Sequence, residues 1–146
     1  MLTLLAKIIS YIFGGKATIT IKNTKTGGRF TFEVIRFKAK NGKKEEEMPF
    51  IVKVLSGPNN ESDFRRLGMI FPDGDSFRFV VPAKWEISKD AQSAKAFDWF
   101  FKRCMSGKEM PECIEVRHDG RCGRCRRKLT TPESIDSGLG PICANR

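Results

Sequence analysis

Apolar positions at the start of the chain recur with helical spacing. Leu5, Ile8, Ile9 and Ile12 fall on one face, and Thr3, Lys7 and Ser10 on another. Gly14-Gly15 ends that pattern. The period then changes to two. Ala17-Thr18-Ile19-Thr20-Ile21 alternates and is rich in β-branched residues. After the turn Thr26-Gly27-Gly28, the run Arg29 to Phe37 does the same, with Phe30, Phe32 and Val34 apolar. The two runs predict a hairpin, and a change of face near Ile35 suggests a bulge. Lys38 to Met48 reads as a charged loop carrying Asn41-Gly42 and Glu45-Glu46-Glu47. Further strands are predicted at Pro49 to Leu55, Arg65 to Phe71 and Ser76 to Val81, the last with Phe77, Phe79 and Val81 on one face. Turn formers separate them at Ser56-Gly57-Pro58-Asn59-Asn60 and Pro72-Asp73-Gly74-Asp75. Helical spacing returns from Ala91 to Cys104, where Ala94, Phe97, Phe100, Phe101 and Cys104 mark an apolar face and Trp99 lies to one side. Ser88 is a candidate cap.

The chain has 146 residues, of which 40% are hydrophobic. That length suits one domain with a small appended module, and a chain of about 150 residues buries roughly 68–70% of its extended surface. No apolar run reaches the ~18 residues of a membrane span, so no membrane partner is expected. The N-terminal stretch is interrupted by Lys7 and lacks a small-residue cleavage site, so it does not read as a secretory signal. The expected compartment is the cytoplasm, where cysteines serve as metal ligands or free thiols more often than as disulfides. Whether the N-terminal helix packs on its own core or forms a homodimer stays open at this point.

Charge narrows the class of partner. Lysine plus arginine is 27 against 17 aspartate plus glutamate, a net charge of +10. The pI of 9.6 exceeds the threshold of about 9 for nucleic-acid-binding domains. An acidic protein partner fits the same number.

Candidate chemistry lies near the C-terminus. His118-Asp119-Gly120-Arg121-Cys122-Gly123-Arg124-Cys125 is followed, after 17 intervening residues, by Cys143. Cysteines spaced C-x-x-C can aim two sulfurs at one ion, Gly123 lets the turn close, and neighbouring arginines favour thiolates. A third cysteine, and no thioredoxin-like context, favour zinc over redox chemistry. The fourth ligand is His118, the only histidine, or its rival Cys113. Between the cysteines, Thr131 can cap a short helix with Pro132 at its first position; Thr130 and Glu133 offer an alternative capping box. Gly138 can end that helix and Gly140-Pro141 return the chain toward Cys143. With all four positions filled by protein the zinc (Zn2+) is structural, and so small a knuckle depends on it for folding.

The fold class is therefore α+β: a small twisted antiparallel β-sheet or barrel with flanking helices and a C-terminal zinc knuckle. Residues 1–15 form an amphipathic helix, 16–108 a β-rich domain ending in a helix, and 109–146 a Cys3His zinc-knuckle module.

The segment from His118 to Ala144 resembles the C-terminal zinc-knuckle domain of uncharacterised phage and prophage proteins, a domain of unknown function (DUF6011). The resemblance rests on His118, Gly120-Arg121-Cys122-Gly123-Arg124-Cys125, Lys128-Leu129, Pro132-Glu133-Ser134-Ile135 and Gly138-Leu139-Gly140-Pro141-Ile142-Cys143-Ala144. That is about a fifth of the chain. Phe50 to Phe71 looks like the sheet region that accompanies the knuckle in such proteins. Arg126 stands where the family pattern often has glycine. The resemblance implies a phage origin, hence the cytoplasm of an infected or lysogenic bacterium, and the ligand set His118, Cys122, Cys125 and Cys143. It implies no established activity.

Two functions compete. The first is non-catalytic nucleic-acid binding, with Arg117, Arg121, Arg124, Arg126, Arg127 and Lys128 held on the knuckle to meet phosphates. Arg29, Arg36 and Arg78 interleave with Phe30, Phe32, Phe37, Phe77 and Phe79 as on a single-strand stacking platform, although strand alternation argues that most of these rings are buried. The second is a phage-encoded, anti-CRISPR-like inhibitor that acts by protein–protein binding on a host nucleic-acid-handling complex. No nucleophile–base pair with a recognisable signature appears, so an enzyme is not expected.

Overall fold

The alternating runs become the strands of one sheet, and the helical runs cover one of its faces. The computed structural model describes residues 2, 4–40, 42–57, 63–129 and 132–140, apart from the side chains of residues 132 and 134. The elements in chain order are α1 (Leu5–Ile12), β1 (Lys16–Asn23), β2 (Arg29–Arg36), β3 (Phe50–Leu55), β4 (Phe64–Asp73), β5 (Ser76–Val80), α2 (Gln92–Met105), β6 (Ile114–His118) and α3 (Pro132–Ser137). The strands form a single antiparallel sheet in the order β5-β4-β3-β2-β1-β6, curled into a half-barrel. The first five form a meander. β6 returns to pair with β1, from Ile19 opposite His118 to Asn23 opposite Ile114. The segment from 109 onward thus contributes a strand to the common sheet. That strand is absent from the expectation above, although Ile114 and Val116 alternate with Glu115 and Arg117.

The bulge expected near Ile35 does not form, because β2 keeps register through Ile35 with both neighbours. The irregularity lies between β3 and β4, where Val52 pairs with Gly68 and Lys53 with Arg66. Leu67 is the extra residue and is fully buried. The bulge thereby turns one more apolar side chain inward.

The inner face of the sheet carries Ala17, Ile19, Ile21, Phe32, Val34, Phe50, Val52, Val54, Leu67, Ile70 and Val116, all buried. Against it α2 lays Ala94, Phe97, Phe100, Phe101 and Cys104, and α1 lays Leu5, Ile8, Tyr11 and Ile12. The Phe97 ring centroid lies 5.0 Å from that of Phe32 and 4.8 Å from that of Phe79. Phe32 is buried in this core and Phe30, Phe77 and Phe79 pack against it partly buried, so these four do not form an open row of stacking rings; of the five candidates only Phe37 stays exposed. The apolar face of α1 is occupied by its own sheet. Its first N–H groups need acceptors, and the N–H of Leu5 donates to Glu109 Oε2 at 3.0 Å. No helix among the described residues is long and apolar enough to cross a membrane.

Candidate metal centre and the adjoining basic cleft

Gly120 to Leu129 form a small hairpin. Cys122 N–H donates to Arg127 O at 2.8 Å, Leu129 N–H donates to Gly120 O at 2.9 Å, and Arg121 bridges Lys128. Cys122 to Cys125 is its tip. Gly123 ties the tip to the rest of the molecule, since its O accepts from Lys16 N–H at 2.7 Å and its N–H donates to Gly138 O at 2.9 Å. A Cβ on Gly123 would lie 2.8 Å from Tyr11 Cδ1, and one on Gly138, whose φ is +75°, would strike the same ring. Both positions need glycine because Tyr11 wedges between them.

Tyr11 is fully buried. Its hydroxyl donates to Thr18 O at 3.1 Å and accepts from Thr18 N–H at 3.3 Å. β6 stops pairing opposite Ile19, so the hydroxyl stands where the next ladder partner of Thr18 would be. Burial, and then the nearby charge of Asp119, hold the phenol well above the usual tyrosine range.

The two sulfurs of the turn are prepared differently. Cys122 is fully buried beside Leu129 and Leu139. Burial by itself would raise its thiol, but N–H groups of Gly140, Cys125 and Arg124 and the Cys125 side chain outweigh it and bring the pKa down to about 7. The Arg124 N–H lies 3.4 Å from Sγ. Cys125 is exposed. Paired sulfurs, one of them stabilised as a thiolate, are the donor chemistry a zinc ion takes.

His118 ends β6, and its ring centroid lies 5.5 Å from that of Tyr11. Its Nδ1 accepts from Gly120 N–H at 2.9 Å, which leaves Nε2 to donate to Ile135 O at 2.5 Å. Binding a metal through this ring requires one of these bonds to break. Cys113 precedes β6 and stands five residues before His118, about 16 Å away at strand rise, in a separate groove. Cys104 is a core residue whose thiol burial pushes up to about 12. Cys143, Pro141 and the candidate caps Thr130 and Thr131 lie outside the described residues, as do Thr3, Asn41 and the turn at 58–60. Among the described residues no three of His, Cys, Asp and Glu converge as a metal-binding group.

The six basic residues divide by partner. Arg126 takes the left-handed backbone at φ +67° and pairs with Asp119 through both terminal nitrogens. Arg124 lies 3.9 Å from Glu45, and Arg117 lies 3.6 Å from Glu115. Arg121, Arg127 and Lys128 are exposed and have no carboxylate partner among the described residues. Arg121 donates to Arg126 O at 3.2 Å.

Sequence reasoning missed a cleft of about 520 Å³ beside the turn, lined by Gly14, Gly15, Cys125 and four cations, Lys16, Arg36, Lys38 and Arg124, against one carboxylate, Glu45. Arg36 is rigidly mounted: it donates to Phe13 O at 3.1 Å and to Glu45 at 3.2 Å, and its guanidinium lies 4.7 Å from the Phe50 ring centroid. Its Nε is buried with no partner among the described residues. The signal was the hairpin itself, since pairing β1 with β2 sets Lys16 opposite Ile35 and brings Arg36 N–H to Gly15 O.

No curated protein and no solved structure matches this chain. Residues 115–146, from within β6 to the end of the chain, match a family of unknown function, DUF6011, and to that extent the segment bearing the Cys122–Cys125 turn is similar to that family.

Proposed function

We propose that this protein binds nucleic acid without catalysis, through a basic surface organised by a structural zinc knuckle. The observation that carries the reading is the cleft, where Lys16, Arg36, Lys38 and Arg124 surround a single carboxylate beside the cysteine turn. Exposed Arg121, Arg127 and Lys128 on the same hairpin extend the positive surface. Phosphates attract such a cluster and give it salt-dependent affinity. Zinc held by Cys122, Cys125, Cys143 and His118 would clamp the hairpin tip and leave no open position for substrate water. His118 would exchange its bond to Gly120 or to Ile135 for the metal. On the resemblance, the setting is the cytoplasm of a bacterium carrying a phage. Fluorescence anisotropy against DNA and RNA, single- and double-stranded, across a salt series tests this. Lys16→Glu with Arg127→Glu should weaken binding and reduce the salt slope by about one for each phosphate no longer neutralised; unchanged binding overturns the reading.

One observation favours a second reading, that of an inhibitor binding a host protein complex. Ile35, Ile51, Met69 and Val80 align across four strands on the outer face of the sheet, all half-buried and outside the core. A host complex that co-purifies stoichiometrically after nuclease treatment, and is lost on Ile51→Lys, would establish it.

A further inference from the structure

Trp99 projects from α2 off the face that Phe97, Phe100 and Phe101 bury, and is 42% exposed. An indole left this bare places a large planar apolar surface in water. It lines two adjoining depressions. One is an apolar groove of about 550 Å³ bordered by Ile21, Phe30, Pro111 and Ile114. The other is basic, with Lys95, Lys102, Arg103 and Lys108. Lys95 lines both. The one carboxylate there, Asp98, is 2.9 Å from Lys102, so Lys95 and Lys108 remain without a carboxylate partner among the described residues. Arg103 is held in place by its Nε–H bond to Glu109 O at 2.9 Å, and its guanidinium lies 6.0 Å from the indole centroid.

We infer that the Trp99 groove receives an unpaired base of single-stranded nucleic acid, stacked on the indole, with the flanking phosphates on Lys95, Lys102, Arg103 and Lys108. Base stacking uses the planar surface and tolerates any sequence, while the cations hold the backbone. A duplex hides the faces of its bases and cannot reach the indole. An acidic peptide would satisfy the cations but leave the ring uncovered. The inference rests on the nucleic-acid reading for its class of partner, but not for its surface. Asn23 borders this groove and Lys16 the cleft, seven residues apart along β1, or about 23 Å.

The chain has two tryptophans, so Trp85→Phe leaves Trp99 as the sole reporter. In that background, a short oligothymidylate should quench the emission and a duplex of the same length should not. In the otherwise native chain, Trp99→Ala should weaken oligothymidylate binding roughly 5- to 150-fold, and Trp99→Phe should recover most of it. Circular dichroism checks that each variant folds; should Trp99→Ala fail, Lys95→Glu with Lys108→Glu must abolish the quench. If oligothymidylate binds and is lost on Lys16→Glu with Arg127→Glu while Trp99 emission stays constant, the base site is refuted and the nucleic-acid reading stands. If no oligonucleotide binds, both fall. If poly-glutamate quenches as well as oligothymidylate does, the groove is a surface for acidic polypeptides and the stacking inference is overturned.

Discussion

Replacing Tyr11 with phenylalanine removes one oxygen and leaves the ring that packs against Gly123, Gly138 and His118. The variant therefore isolates the hydroxyl. That oxygen satisfies both the N–H and the C=O of Thr18, at 3.3 and 3.1 Å, beyond the end of β6. Without it, two backbone groups lose their protein partner. A buried unsatisfied group costs about 1–3 kcal/mol. Thr18 is half-buried, so water replaces part of the loss, and the whole effect is about 1–3 kcal/mol. For a chain of this size that lowers Tm by roughly 3–12 °C. Thermal unfolding at neutral pH measures it, and hydrogen exchange should show the Thr18 amide exchanging faster in the variant. Alkaline pH adds a second readout. Tyr11 is the only tyrosine, so tyrosinate absorbance reports it alone. Its folded pKa is raised by burial and by Asp119. The stability of the neutral phenol is thus fully present below the ordinary value of about 10 and declines as the unfolded chain ionises above it. The alkaline decline should be shallower in Tyr11→Phe. An unchanged Tm, or a tyrosinate titration near 10 in protein still folded by circular dichroism, would refute the reasoning.

Arg126 offers a comparison of two variants. Arg126→Gly loses the half-exposed Asp119 pair, worth about 1 kcal/mol or less, but relieves a left-handed backbone costing about 1–2 kcal/mol, so its stability should be near that of the parent. Arg126→Ala loses the pair and keeps the backbone cost, so it should melt below the glycine variant; the reverse order in chemical denaturation would discount the φ of +67°. On the proposed zinc site, the parent should carry zinc by elemental analysis and Cys122→Ser should lose it together with the order of the hairpin; full zinc stoichiometry in the variant would remove Cys122 from the proposed ligand set. Cys104, buried and with its thiol pushed up to about 12, should resist a thiol reagent in the native protein while exposed Cys125 reacts in the metal-free form. Rapid native labelling of Cys104 would contradict its place in the core.

Much of the fold was legible because periodicity is local. Strand alternation in Thr18-Ile19-Thr20-Ile21 and in Phe30 to Val34, and helical spacing from Ala94 to Cys104, each report which face is buried without reference to any partner. The bulge was misplaced because its position depends on which strand must absorb an extra residue, and Leu67 is drawn inward by a core assembled from the other strands. β6 was missed because five residues make a short signal, and its strand character is completed by pairing with β1, more than ninety residues earlier in the chain. The cysteine turn could be read from spacing alone, since two thiols on one tight turn are close whatever surrounds them. The status of each arginine could not. Arg126 and Arg121 lie on the same hairpin, yet one is held by Asp119 and the other is left without a carboxylate partner among the described residues. The sequence by itself determined the elements other than β6, the net charge and the two neighbouring sulfurs, because these follow from local order and composition. Tertiary structure alone decided that Tyr11 locks the turn to the sheet, that Lys16 and Arg36 share a cleft with Cys125, and that Trp99 stands bare among lysines. Those facts are distances between residues far apart in the chain, and only the packing of a folded core sets them.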